Sequence, residues 1–304
     1  MRRFVAAFAL VFAQPALAWF DAGHETIAAA AFSQLTPQAR EKVGRLLRLA
    51  PDYPAWIFGA PEGERDRIAF VRASTWADDI KRRPDFYKNS LAEDGAGAAD
   101  NIGFADRRVH AYWHYIDLPF SSDGAPTRPA DSPNALTQIR VFTAALRSDA
   151  PGEVKSYDLV WLEHLVGDAH QPLHATSRFS RGLPKGDSGG NQERICLAFT
   201  CGLKLHAFWD SLLGASGQVG DAMAVAARLP APDPDRAAVD DPQVWFEESA
   251  ALARAVVYTK AIGDGAGPFA LDQAYQAEAR EIARDQAAVA AARLARLLNG
   301  ALGR

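Results

Sequence analysis

Hydrophobic periodicity in this chain is helical nearly everywhere it can be detected, and only Glu193 to Thr200 reads as a short strand pair. A chain written this way has no large sheet to build a core on. Its apolar stripes must be buried against one another, which predicts an all-α, single compact multi-helix domain with one short β-hairpin. Thr36-Pro37 reads as an N-cap followed by proline at the first helical position, opening Gln38 to Leu49. Glu62 to Arg83 carries Ile68, Val71, Trp76 and Ile80 at roughly helical spacing, and Ser132-Pro133 repeats the cap signal before Leu136 to Leu146. Asp158 to Ala169 is helical until Pro172. Leu203 to Leu213, Val244 to Ile262 and Leu271 to Leu298 are further helices, the last stopped by Asn299-Gly300. Loops are expected at Asp85 to Asp106, Ser121 to Asp131, Ser180 to Gln192 and Pro230 to Pro242. The last is Pro- and Asp-rich but reads as a surface loop, because the segment C-terminal to it is too short and too purely helical to be a separate enzyme.

The start of the chain is written differently. Arg2 and Arg3, the apolar run Phe4 to Ala13 and Ala16-Leu17-Ala18 make residues 1–18 a secretory signal peptide. The run is too short for a membrane anchor, which needs about 20 apolar residues, and no later segment could span a bilayer. The expected mature domain is therefore 19–304, beginning at Trp19. Its Lys and Arg count falls from 33 to 31 while all 37 acids stay, a net charge of −6. That balance excludes a protein that holds a duplex by phosphate neutralisation along its surface, since such proteins are basic. Cys196 and Cys201 are the only cysteines. In an exported chain they read as one short disulfide, and no further cysteine could complete a thiolate metal site. Absence of any Asn-x-Ser/Thr sequon, with an Ala- and Arg-rich composition, points to a secreted or periplasmic bacterial protein. A monomer is expected.

The seven histidines keep unusual company. His164 and Asp168, at i and i+4, share a helix face and can reach one cation. His206 and Asp210 repeat that spacing, and Pro172 ends the first helix so that His174 can point back from the turn. One His-x-x-x-Asp pair is more often a solvated ion pair. Two such pairs with His174, joined by His24, Asp78 and His114 in apolar, Trp-containing settings, are better explained by metal. Imidazole and carboxylate without thiolate suit zinc in a hydrolytic site. His110 and His170 are read as surface residues or as supports for ligands, His170 as one that could orient a ligand carboxylate.

In their order and spacing, Trp19 with Gly23-His24, Trp76-Ala77-Asp78, His114-Tyr115-Ile116-Asp117, His164 with Gly167-Asp168 and Gln171-Pro172-Leu173-His174, Gly189-Gly190-Asn191, and Leu205-His206 with Trp209-Asp210 resemble the S-one/P-one nuclease family. These are zinc-dependent, single-strand-preferring nucleases and 3′-nucleotidases, and the distantly related zinc phospholipases C share their helical fold. The resemblance implies three Zn2+ per chain. By it, Asp78, His114, His164 and Asp168 hold one ion of a close pair. Trp19, through its α-amine and carbonyl oxygen, holds the other with His24 and a bridging Asp168. His174, His206 and Asp210 hold the third. An α-amine has a pKa of about 7.7–8.0, so a metal deprotonates it readily, and here it exists only after cleavage before Trp19. Asp78 is further implied to orient the attacking water and Lys81 to face the phosphoryl oxygens. Tyr115 is implied to stack on a base, Asp117 to contact its edge and Asn191 to offer an amide to the substrate. The expected substrates are single-stranded DNA and RNA, cut to 5′-phosphate products, and 3′-nucleotides. A phospholipase C-like phosphodiesterase and a non-catalytic zinc-binding domain are the rivals, and Tyr115 with Asp117 argues for a site that reads bases.

Overall fold

The helix expected at Asp158 to Ala169 is the axis of the fold. In a computed structural model, which describes residues 19–198, 200–214, 217–263 and 267–303, helices of more than one turn or of functional interest are Asp21–Ser33 (α1), Pro37–Leu47 (α2), Arg65–Ala73 (α3), Trp76–Asp79 (α4), Ala135–Leu146 (α5), Gly152–Asp168 (α6), Leu205–Asp210 (α7), Val219–Ala226 (α8), Pro242–Leu252 (α9) and Gln273–Leu302 (α10). The expected signal peptide lies outside the described residues. From Ser156 to Asp168 every residue of α6 is buried, Asp158, Glu163, His164 and Asp168 included, so other elements enclose the helix on every side. It packs against α5, α2, α4, α1 and α10, while α1 is also covered by α8, α3 and α10. The His164/Asp168 pair is thus enclosed at the end of a central helix, where solvation cannot account for it. The architecture is all-α with a minor β element, helix making up 57% of the chain.

Local signals explain most boundaries. Thr36 caps α2 by accepting from Ala39 N at 3.2 Å, with Pro37 next. Several boundaries differ from expectation; α9 ends at Leu252 and gives way to a π-helical turn over Ala253–Val257, short of the expected Ile262. The cap of α5 is Asn134, whose side chain accepts from Thr137 N, and not Ser132. Glu62 to Arg83 is a broken helix, interrupted between Ala73 and Trp76, where Ser74 Oγ and Thr75 Oγ1 turn back onto the carbonyls of Val71 and Arg72. Asn299-Gly300 does not stop α10, because Asn299 is tied into the α1–α2 turn instead: its Oδ1 accepts from Thr36 N at 2.8 Å and its Nδ2 donates to Gln34 O at 3.1 Å.

The strand content is small. Arg194–Leu197 (β3) and Thr200–Lys204 (β4) form the expected antiparallel pair, with Cys196 opposite Cys201 and disulfide-bonded to it; Phe269–Ala270 (β5) adds a parallel edge. An unexpected parallel pair, Leu118–Ser121 (β1) with Thr176–Phe179 (β2), joins the segments that come after His114 and His174. Ile116 N donates to His174 O at 2.9 Å just before it. Two distant histidines are fixed side by side in this way.

Candidate metal centre

Three groups of side chains place their donor atoms within 4.8 Å of one another: His24, His164 and Asp168; Asp78, His114 and His164; and His174, His206 and Asp210. All are buried. The first two groups share His164, and Asp168 also touches both, its oxygens facing different ways. Oδ2 lies 3.1 Å from His114 Nδ1 and 3.3 Å from His164 Nε2, while Oδ1 lies 3.4 Å from His24 Nε2. Each histidine that has a backbone anchor spends one nitrogen on it. His164 Nδ1 donates to Ser74 O at 2.8 Å, the carbonyl freed by the break between α3 and α4. His174 Nδ1 donates to His114 O at 2.8 Å, and His206 Nδ1 to Gly189 O at 2.6 Å. The remaining nitrogens of these three point inward, the arrangement that orients imidazoles for a metal. Gly189 must be glycine for this: its φ is +61°, and a Cβ there would lie 2.2 Å from Leu173 O.

The donor set fits a cation. His24 Nδ1 and Nε2, His114 Nε2, His174 Nε2, Asp78 Oδ2, Asp168 Oδ1 and Asp210 Oδ2 are buried without a hydrogen-bond partner. Each such atom costs about 1–3 kcal/mol when left alone, and bound cations remove that cost for the whole cluster. Burial pushes His24 well below the usual imidazole range, and His114 and His206 down to about 3, so these rings are neutral and carry lone pairs. Burial alone would raise Asp78, but Lys81, His164 and His114 outweigh it and hold the carboxyl below its usual range. Asp168 is held low in the same way, against burial, by His164 and His174.

Trp19 is completely buried, and its Nε1 donates to Gly167 O at 3.1 Å. Phe20 N donates to Asp210 O at 3.0 Å. The Trp19-Phe20 segment is therefore strung between the backbones next to and at two of the clustered acids. Gly23 leaves room for it, since a Cβ there would lie 2.7 Å from Trp19 Cβ.

A cleft of about 310 Å³ opens over the clusters, and Lys81, Tyr115, Asp117 and Asn191 line it together with His114, His174 and His206. Lys81 Nζ is 2.5 Å from Asp78 Oδ1. Tyr115 is 39% exposed, enough ring to offer a stacking face. Burial, then the Asp187 carboxylate, push Asp117 up to about 6. Asn191 donates from Nδ2 to Ser188 O at 2.9 Å, with Lys204 Nζ 3.4 Å from its Oδ1. Carboxylates, neutral imidazoles, a cation and an aromatic face thus converge on one opening.

A family model described as S1/P1 Nuclease matches residues 19–303. The chain belongs to the S1/P1 nuclease family. With the three His/Asp clusters, that membership makes it a zinc-dependent, nuclease-type phosphodiesterase acting on nucleic acid. A search of curated proteins finds no match to the chain. No helix among the described residues is long and apolar enough to cross a membrane.

In this S1/P1 nuclease, two histidines and one glutamine differ from the sequence reading. His110 and His170 are not surface residues, for both are fully buried. His110 stacks on Trp113 with ring centroids 3.5 Å apart and bonds Asp106 Oδ2 at 2.7 Å and the Tyr112 hydroxyl at 2.9 Å. His170 donates from Nδ1 to Val166 O at 2.7 Å, and Arg293 donates to its Nε2 at 2.9 Å, which fixes α6 to α10. The residue that orients a clustered carboxylate is its neighbour Gln171, whose Nε2 donates to Asp210 Oδ1 at 2.6 Å. In the sequence it shows only as the residue before Pro172 in the family-like Gln171-Pro172-Leu173-His174 segment, with no sign of its role; the side chain also accepts from Leu173 N, closing the turn that delivers His174.

Proposed function

We propose that the mature chain, 19–304, is a secreted or periplasmic monomer that hydrolyses single-stranded DNA and RNA to 5′-phosphate products and removes phosphate from 3′-nucleotides, using three Zn2+ per chain. Asp78, His114, His164 and Asp168 would hold one ion, and Trp19, His24 and Asp168 a second. His174, His206 and Asp210 would hold the third. Trp19 enters because its buried indole is anchored at the carbonyl of Gly167, the residue before Asp168. Zinc bound there would supply Lewis acidity and lower the pKa of a coordinated water.

The observation that carries the reading is the shared cleft: Tyr115 and Asp117 line the same opening as Lys81, His114, His174 and His206. A base stacked on Tyr115 places its 3′-phosphate over the imidazoles. Asp78 would accept a hydrogen bond from the attacking water as well as help hold an ion, positioning the water for in-line approach. The water oxygen bonds to phosphorus, the P–O3′ bond breaks, and the water's proton is released to solvent or to the departing 3′ oxygen. Lys81, paired with Asp78 at the cleft wall, offers its remaining N–H groups to the phosphoryl oxygens. Asn191 offers an amide to the sugar-phosphate from the far side. Because the base must lie flat on an aromatic ring, unstacked strands enter and duplex does not.

The reading is tested by a time course on single-stranded DNA, RNA, a 3′-nucleotide and phosphatidylcholine, with and without chelator. Chelator-sensitive turnover of the first three is expected. Turnover of phosphatidylcholine alone would make the protein a phospholipase, and zinc binding without any turnover would make it non-catalytic.

A further inference from the structure

A second cavity, of about 180 Å³, lies beyond Tyr115, and Asn89, Tyr112, Asp131 and Asn134 are among its walls. It shares Ala111, Tyr115 and Asp117 with the metal cleft, so the two openings meet at the proposed stacking ring. Its wall is held in place by hydrogen bonds that the hydrolytic chemistry does not use. Asn89 Nδ2 donates to Asp94 Oδ1 at 3.1 Å, and the Tyr112 hydroxyl donates to Asp94 Oδ2 at 2.6 Å. Tyr112 is then tied to His110, and His110 to Asp106. The Tyr87 backbone bonds Arg107 O at 2.6 Å and Val109 N at 2.9 Å, pinning the loop that supplies Asn89. This is a preformed pocket rather than a gap under a loose loop.

Its charge says what fits. Asp117 and Asp131 line it and no lysine or arginine does. Arg128 stands 3.7 Å from Asp131, both side chains mostly exposed to solvent. A phosphate would meet two carboxylates here, whereas an N–H donor would meet two acceptors. The lining otherwise mixes an aromatic face with apolar side chains and amides, which suits a nucleobase edge-on to the acids. Adenine, cytosine and guanine carry an exocyclic amine for a carboxylate to accept from, and thymine and uracil do not.

Direction comes from the site already described. A base on Tyr115 with its 3′-phosphate over His174 and His206 sends the strand's 5′ side away from the metal cleft, toward this cavity. We propose that the cavity is a second base subsite, taking the nucleotide on the 5′ side of the one at Tyr115 and favouring bases with an exocyclic amine. The proposal rests on the nuclease reading above and extends it to sequence context.

The test uses zinc-loaded protein and release of inorganic phosphate from 2′-deoxyadenosine 3′-phosphate and from 3′-phosphorylated dinucleotides ending in the same deoxyadenosine, with an uncleavable methylphosphonate between the two nucleosides. A 5′ cytosine or adenine should raise kcat/KM about tenfold over 2′-deoxyadenosine 3′-phosphate, within what one stacked and hydrogen-bonded base contributes, and a 5′ thymine clearly less. Asp131→Asn and Asn89→Ala should bring cytosine down to the thymine value while leaving turnover of 2′-deoxyadenosine 3′-phosphate unchanged, which also shows that both variants fold. Equal kcat/KM for the mononucleotide and all dinucleotides overturns the subsite, as does an amine preference that survives both substitutions. Failure to hydrolyse 2′-deoxyadenosine 3′-phosphate at all would overturn the nuclease reading itself.

Discussion

Gln171 Nε2 donates to Asp210 Oδ1 over 2.6 Å, which leaves Oδ2 as the oxygen that faces His206 Nε2, 3.5 Å away. One amide therefore decides how Asp210 can present itself to a cation. Gln171→Leu removes that bond from a fully buried side chain and lets the carboxylate rotate. Zinc affinity at the His174/His206/Asp210 cluster should fall about 10- to 100-fold. Equilibrium dialysis with metal analysis measures this, and the other two positions serve as an internal reference. Unchanged affinity at the third position would show that Asp210 is oriented by its helix alone.

The proposed cleavage before Trp19 has its own signature. Protein carrying one or two residues before Trp19 converts the proposed amine ligand into an amide, which does not give up its proton to a metal near neutral pH. The extended protein should fold, because the Trp19 indole and its bond to Gly167 O are untouched. It should bind fewer zinc ions and lose most of its turnover. Equal turnover and zinc content in cleaved and extended protein would remove Trp19 from the ligand set.

How much of this is legible in the sequence depends on the range of the interaction. His164 with Asp168 and His206 with Asp210 are i, i+4 pairs, so a helical reading places each pair on one face. The enclosure of those faces is a tertiary fact, and the near-continuous burial of α6 supplies it. Gln171 and His170 escape a sequence reading because one residue of register at the end of α6 separates a side chain aimed at α7 from one aimed at α10. The end of a helix is where local pattern specifies register least. The break at Ser74 is hidden for a similar reason. Ile68, Val71, Trp76 and Ile80 keep nearly helical spacing through it, yet the carbonyl it frees accepts from His164, a partner 90 residues away. Nothing local announces the β1–β2 pair, whose strands lie in distant parts of the chain.

A buried acid away from the cleft predicts a pH effect on stability. Asp158, on α6, is completely buried, and burial pushes its carboxyl up to about 8. In the unfolded chain its pKa is about 3.9. Between those values the folded protein holds a proton that the unfolded chain has released, so stability falls as pH rises from about 4 to about 8 and the loss is complete above that. Asp158→Asn keeps the shape without the titration. At fixed zinc concentration, urea unfolding should show the variant gaining on wild type as pH rises, by about 5 kcal/mol at pH near 9. A difference that stays constant with pH would mean Asp158 ionises as freely folded as unfolded.

Chemistry and recognition should separate in two substitutions. Asp168 faces His114 and His164 with one oxygen and His24 with the other, so Asp168→Asn removes a charge that two cations would share. It should lose occupancy of the paired positions and nearly all turnover on every substrate. Tyr115 holds no clustered donor and is 39% exposed at the cleft. Tyr115→Ala should keep its full zinc content and lose about 1–3 kcal/mol of binding per stacked base. That loss would appear as a weaker kcat/KM on nucleotides, with hydrolysis of a base-free phosphodiester nearly unchanged. Kinetics on the two substrate types, read beside metal analysis of each variant, decide the matter. An equal loss on both substrates would show that Tyr115 supports the fold around His114 rather than the base, and would leave Asp117 alone to account for recognition.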